Sequence, residues 1–280
     1  MSSDENGRLL QVMEDLTQEL RSARAEEALT RHLAKFAALG PEKVVEFWYC
    51  GCVPIKFFVP KAYLDIVQTH MMMSESFWDQ ATLEAFSPYI RGKNILDIGA
   101  NVGSHSVFWG KIAGAKSIVA FEPIPETFEI LRRNIELNQL TKVVKIHPFG
   151  LGERETTGDP WSEARNRMHA IIRAREDRAG AIKLRPLDGL SLAPFDFAKI
   201  DVEGHTEFLL KGAKQTLARF KPSLYVELWV SERPQNKQIL ESYGYEVLGS
   251  VEDSNYIFVH KDRSDEAEKL RPIINGPWTL

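Results

Sequence analysis

The acids of this sequence stand where chemistry can use them. Asp97, Glu122, Asp201 and Glu203 lie at or near the ends of short apolar runs: Asn94-Ile95-Leu96-Asp97-Ile98, Val119-Ala120-Phe121-Glu122 and Phe197-Ala198-Lys199-Ile200-Asp201-Val202-Glu203. If those runs are strands of an open parallel sheet, their ends face the crevice in which such sheets bind ligands. The first run passes into Gly99-Ala100-Asn101-Val102-Gly103, a turn whose glycines let the backbone bend and come close to a ligand. The dinucleotide fingerprint G-x-G-x-x-G fails here: counted from Gly99, its second glycine falls at Asn101 and its third at Ser104. A pyrophosphate would also meet the carboxylate of Asp97, which favours a cationic, phosphate-free nucleoside instead. Glu122 follows Gly103 by 19 residues, close to the offset at which an acid hydrogen-bonds ribose hydroxyls. S-adenosylmethionine, a sulfonium and an ammonium without phosphate, meets these conditions. The expected cofactor-binding set is Asp97, Gly99, Ala100, Asn101, Gly103, Ser104, Glu122, Pro123, Phe149 and Gly150. Phe149-Gly150 enters because it follows the third strand, where it would reach the adenine or simply make a turn.

The fourth run is charged. Strand alternation puts Lys199, Asp201 and Glu203 on one face, although central parallel strands are normally apolar on both. Two readings stand: an ion-pair cluster in which Lys199 neutralises the acids, or the floor of an active site. Methyl transfer to a hydroxyl needs the acceptor held in line and its proton removed. Asp201, Glu203 and His205 are the candidate catalytic groups, and His205 has the intrinsic pKa best suited to a base. Glu227 is a further acid on the same rim. Asp201 with Glu203 offers hard oxygen ligands, but two carboxylates alone do not specify a metal, and none is expected.

Periodicity supplies the elements that must position these groups. Apolar residues spaced three or four apart predict a helix within residues 8–38, either packed on the core or used as a lid or homodimer contact. Extended segments follow at 44–49 and 53–59, then helices at 61–73 and 77–89. From residue 93, strands at 94–98, 117–121, 143–146, 197–202, 224–228, 246–248 and 256–260 alternate with helices at 106–113, 127–137, 207–220 and 235–243. The expected fold is α/β: a doubly wound, mainly parallel, seven-stranded Rossmann-like sheet with a mostly helical N-terminal extension. The expected division is an extension over 1–90, a catalytic domain over 91–262 with a polar, Arg-rich insertion at 153–186, and a charged tail over 263–280. The insertion reads as a solvated hairpin or a lid that selects an acidic or glycan acceptor.

Composition narrows the class. The 280 residues are 44% hydrophobic with a net charge of −4, which disfavours a broad nucleic-acid surface. No apolar run reaches the length of a membrane span, and the polar N-terminus does not resemble a signal peptide. Two cysteines, Cys50 and Cys52, make neither a disulfide framework nor a zinc site, and a reducing, cytoplasmic setting is expected. Met71-Met72-Met73 is expected to pack in a core or interface.

The run Asp97-Ile98-Gly99-Ala100-Asn101-Val102-Gly103, with Phe121-Glu122-Pro123, Leu187-Asp188, Lys199-Ile200-Asp201-Val202-Glu203-Gly204 and Lys211-Gly212-Ala213, resembles the FkbM family of S-adenosylmethionine-dependent methyltransferases. The resemblance covers about residues 93–228. It implies methylation of a hydroxyl on a small molecule, a sugar or glycan, or a polyketide-type acceptor. One departure is Thr206, where the family often carries Glu; here Glu207 follows one place later. The alternatives at this level are a nicotinamide-dependent oxidoreductase and a non-catalytic S-adenosylmethionine-binding scaffold.

Overall fold

The computed structural model describes residues 26–161, 171–175, 180–252 and 254–274. The described residues begin with a helix over 26–38 (α1). A hairpin of Val44–Tyr49 (β1) and Val53–Phe58 (β2) leads to helices Ile66–Ser74 (α2) and Gln80–Ile90 (α3). The α/β part follows as Asn94–Ile98 (β3), Ser104–Phe108 (α4), Ser117–Phe121 (β4), Pro125–Leu137 (α5), Val144–His147 (β5) and Gly150–Leu151 (β6). Thr156–Trp161 (β7), Ile171–Arg175 (β8) and Ile182–Arg185 (β9) precede Phe197–Ile200 (β10), Thr206–Lys211 (α6), Lys214–Phe220 (α7) and Ser223–Glu227 (β11). Arg233–Ser242 (α8), Tyr245–Glu252 (β12), Asn255–His260 (β13) and Ser264–Ile274 (α9) complete it.

The main sheet has seven strands in the order β12-β13-β11-β10-β3-β4-β5. The pairs from β5 to β11 are parallel, and β13 runs antiparallel to both its neighbours. The chain starts at β3, moves outward to β5, then crosses back to β10. The strand order thus reverses between β3 and β10, and a crevice opens beyond their carboxyl ends.

Alternation along the strands sorts two cores. Leu96, Ile98, Ala198, Ile200, Leu224 and Val226 pack with α6, α7 and α8 residues on one face. Ile95, Ile118, Phe197 and Tyr225 lie on the other, and there they join Phe47, Ile55, Phe57, Met71, Met72, Phe77 and Phe86 of the N-terminal segment. The N-terminal segment therefore supplies the layer over one sheet face. Leu270, Ile273 and Ile274 of α9 close the same core, so part of the region read as a charged tail is an amphipathic helix.

Several boundaries shift for local reasons. The helix expected at 61–73 begins only at Ile66, because Asp65 caps it: its side chain accepts from the Gln68 N–H at 2.9 Å. The helix expected from 106 starts at Ser104 and ends in a π-helical turn, Trp109–Ala113. The helix expected over 207–220 splits at Gly212, where a Cβ would sit 2.0 Å from the Gly152 carbonyl oxygen. The 153–186 region contributes β7, β8 and β9 to a four-stranded sheet with β6; its residues 162–170 and 176–179 lie outside the described residues. Of the helix expected within residues 8–38, the part up to residue 25 lies outside them too. Within the rest, Phe36 packs on the core while Leu29 and Leu33 are about half exposed, 54% and 47%. Among the described residues no helix is long and apolar enough to cross a membrane.

Candidate active site

The crevice holds a cavity of about 520 Å³. Of the residues singled out from sequence, Gly99, Asn101, Glu122, Pro123, Gly150, Asp201, Glu203 and His205 line it. Asp97, Ala100, Gly103, Ser104 and Phe149 do not. Their places are specific. Ala100 is buried and donates its N–H to the Phe121 carbonyl at 2.9 Å. Gly103 has φ +91°, and a Cβ there would stand 2.7 Å from Leu131, so this glycine lets α4 start against α5. Ser104 donates its hydroxyl to the Trp78 carbonyl at 3.2 Å. Phe149 packs against Phe121 and His147, under the Arg185 guanidinium.

Gly99 is needed for a close approach. Its φ is +79°, and a Cβ would lie 1.7 Å from the Asp201 carbonyl oxygen. The turn after β3 thus presses directly on the end of β10. Asn101 also takes a left-handed conformation, with φ +51°. That bend aims its N–H at Glu122 Oε2, 3.0 Å away, while Ile124 N–H donates to Oε1 at 2.9 Å. Each Glu122 oxygen accepts one backbone bond and keeps a lone pair for a ligand. Burial pushes its pKa up to about 7, against the two amide donors that lower it.

Asp97 and Lys199 are register neighbours on β3 and β10 and project into the core shared with the N-terminal layer. Asp97 is fully buried; Oδ2 accepts from Ser106 at 2.6 Å and Oδ1 lies 3.7 Å from Lys199 Nζ. Burial raises its pKa, against the pull of Lys199 and Ser106. Lys199 Nζ donates to the Gly99 carbonyl at 2.8 Å and pairs with Asp201 at 3.1 Å. Burial would lower its pKa, but the charges of Asp201 and Asp97 outweigh that and hold it protonated. The ion-pair reading of the fourth strand therefore holds for Lys199, Asp97 and Asp201.

The shared face expected for Lys199, Asp201 and Glu203 is not how Glu203 reaches the site. The strand ends at Ile200, and Glu203 and Gly204 turn through left-handed conformations, φ +49° and +80°. The turn, rather than strand alternation, brings carboxylate oxygens of Asp201, Glu203 and Glu227 within 4.8 Å of one another. That crowding is relieved by a proton. Burial and then the charges of Asp201 and Glu203 push Glu227 up to about 8, so at neutral pH it is protonated and shares a hydrogen bond with Asp201. Asp201 itself stays ionised, its pKa lowered because Lys199 outweighs the cost of burial.

His205 is buried at the start of α6 and stacks on Phe208. Burial pulls its pKa down, leaving a neutral imidazole, and its Nε2 has no hydrogen-bond partner among the described residues. His105 is buried against Trp109 and held neutral by burial, with its pKa near 3. The opposite wall of the cavity was not anticipated. It comes from Lys61, Tyr63, Leu64, Asp65 and Gln68, ahead of and within the first turn of α2. Nothing in the spacing of those residues marks them as a site.

The model of the methyltransferase FkbM domain matches residues 97–253, more than half of the chain. The chain belongs to the FkbM methyltransferase family. Among its relatives is the methyltransferase sdnD of Sordaria araneosa, 28% identical over 192 residues, covering 55% of this chain and 73% of that protein. Another is the hexuronic acid methyltransferase AglP of Haloferax volcanii, 28% identical over 131 residues, covering 43% of this chain and half of that one. The solved FkbM methyltransferase of Methylobacillus flagellatus aligns at a TM-score of 0.47 and 17% identity, over 84% of this chain and 60% of that structure.

Proposed function

We propose that this chain uses S-adenosylmethionine to methylate a hydroxyl on a small molecule, a sugar or glycan, or a polyketide-type product. The observation that carries the reading is Glu122: a buried carboxylate, pinned by two backbone amides, with a lone pair free on each oxygen inside the cavity. A pair of ribose hydroxyls satisfies both. The donor set also fits a cationic, phosphate-free cofactor. Glu122, Asp201 and Glu203 line the cavity, and the nearby cation Lys199 is committed to Gly99 and Asp201.

When bound, S-adenosylmethionine supplies a methyl group already activated for transfer. The chain then has three tasks. Glu122, Asn101 and Pro123 hold the nucleoside, with Gly150 on the adenine side. The buried apolar walls at Ile98, Phe121 and Leu151 exclude water from the reacting atoms. A base must take the acceptor's proton, and His205 suits this best of the three candidates because it is neutral and lines the cavity. Asp201 is tied to Lys199 and is the weaker base. A relative named for hexuronic acid supports a sugar-type acceptor. A homodimer contact through the N-terminal helix and a cytoplasmic location belong to the same proposal.

Two measurements test it. Calorimetry with S-adenosylmethionine should give saturable heat, and its absence at about 1 mM, the weakest affinity class of interest, would sink the cofactor assignment. With labelled cofactor, transfer to a panel of hydroxylated acceptors should follow and should be lost in His205→Ala. Transfer only to amines, or transfer unchanged in His205→Ala, would overturn the hydroxyl chemistry or the base.

A further inference from the structure

The wall that the N-terminal segment adds to the cavity is held in place, and its rim is apolar. Residues 61–65 form a turn in which the Leu64 and Asp65 N–H groups donate to the Lys61 carbonyl at 2.8 and 2.9 Å. Lys61 pairs with Glu126, Ala62 is fully buried, and Asp65 caps α2. The Tyr63 ring lies 5.0 Å from that of Phe36. Yet Tyr63 and Leu64 both line the cavity while 46% and 68% exposed, and Ile66 beside them is 52% exposed. Single exposed apolar side chains are common, but three within four residues, two of them at a cavity, mark a binding lip. A turn fixed in this way offers the lip to a ligand with little left to order.

The charge of the cavity says what the lip can take. The ionisable lining is acidic at Asp65, Glu122, Glu126, Asp201 and Glu203. Lys61 also lines it but is paired with Glu126, and His205 is held neutral by burial. Such walls suit a sulfonium and repel a second ligand that brings a carboxylate or phosphate. An acceptor has to enter beside the cofactor. The ligand that covers the lip is therefore free of negative charge, and apolar where it meets Tyr63 and Leu64.

We propose that Tyr63 and Leu64 select the methyl acceptor, an uncharged alcohol whose apolar portion lies on this lip. This rests on the cofactor reading above and narrows its acceptor classes to polyketide-type products and sugars that carry an apolar group. The test is calorimetry on the full chain saturated with S-adenosylhomocysteine, with 1-hexanol, 1-octanol and octanoate as probes. 1-Octanol should bind about tenfold more tightly than 1-hexanol, because two further CH₂ groups meet apolar surface. It should bind at least about tenfold more tightly than octanoate, which brings a negative charge to the acids. Leu64→Ser, at a largely exposed position that folding tolerates, and Tyr63→Ser should each weaken 1-octanol about five- to tenfold and leave S-adenosylhomocysteine within about twofold. Octanoate matching 1-octanol, no binding of 1-octanol, or 1-octanol binding unchanged in both variants overturns the proposal and leaves the cofactor reading standing. Equal weakening of S-adenosylhomocysteine and 1-octanol also overturns it, by assigning the lip to the cofactor. So does a wild-type dimer that Leu64→Ser splits in sedimentation with 1-octanol binding unchanged, which assigns the lip to a second copy of the chain. A wild-type protein that does not bind S-adenosylhomocysteine overturns both readings.

Discussion

Lys199 lets the ion-pair account be tested by energy. Replacing it with Met keeps much of the packing volume and removes the cation that sits 3.1 Å from Asp201 and 3.7 Å from Asp97. At an effective dielectric of ~20 those separations correspond to attractions of ~5 and ~4.5 kcal/mol, largely offset by the desolvation of buried Asp97 and Lys199 and of half-buried Asp201. The variant does not recover that desolvation, because Asp97 stays fully buried. We expect Lys199→Met to cost about 3–5 kcal/mol at neutral pH, the usual penalty for stranding a buried charge. The sign of its pH dependence follows from Asp97. Its pKa is already raised in the folded state, and removing Lys199 raises it further. A carboxyl with a raised folded pKa loses stability as pH climbs from its unfolded value of ~3.9 through the folded one. The deficit of Lys199→Met against wild type should therefore be larger at about pH 8 than at about pH 5. Adding Asp97→Asn should restore part of it, giving a coupling well outside additivity. Urea denaturation followed by tryptophan fluorescence measures all three quantities. A loss below about 1 kcal/mol, or a deficit that grows toward acid pH, would refute the account.

Three other outcomes follow from the geometry. Glu122 accepts ribose hydroxyls only as a carboxylate, and its pKa stands near 7; S-adenosylmethionine affinity should fall as pH drops from about 8 to about 6, and Glu122→Ala should lose about ten- to a hundredfold, both by calorimetry. Gly99→Ala puts a Cβ 1.7 Å from the Asp201 carbonyl at a left-handed φ of +79°, so it should lower both the melting temperature and cofactor affinity; a variant matching wild type in both contradicts the close contact. Glu266 accepts from Tyr89 and Lys93 through one oxygen and from Lys269 through the other. Burial would raise its pKa, but these bonds hold it near 2. The stability it contributes is present above its unfolded pKa of ~4.3 and lost as pH falls toward 2, so Glu266→Gln should cost about 2 kcal/mol at neutral pH and flatten the acid limb in denaturant titrations.

The glycine turn, the acid at the second strand end and the charged block after the fourth strand are all short-range patterns. A strand, its turn and the next helix are contiguous, and their periods and glycines stand in the sequence. Gly99, Asn101, Glu122 and Asp201, each read from such a pattern, all line the cavity. Where local pattern misled, the cause was tertiary. Alternation was carried two residues too far at Asp201–Glu203, because the strand stops at Ile200 to let the Gly99 turn pass. One long helix became two at Gly212 because the Gly152 backbone lies against it.

The sequence by itself determined the α/β frame, the strand ends that open on the cavity and the family, because each depends on residues adjacent along the chain. Only the tertiary structure decided the rest. Asp97 stands at a strand end like Glu122, yet it faces the N-terminal layer and pairs inside the core, while Glu122 opens on the cavity. Which side of the sheet is covered, and by what, depends on a hairpin and two helices distant in sequence. The same packing carries Lys61, Asp65 and Gln68 to the cavity. Such a role arises from contacts across the fold, which no spacing within the sequence encodes.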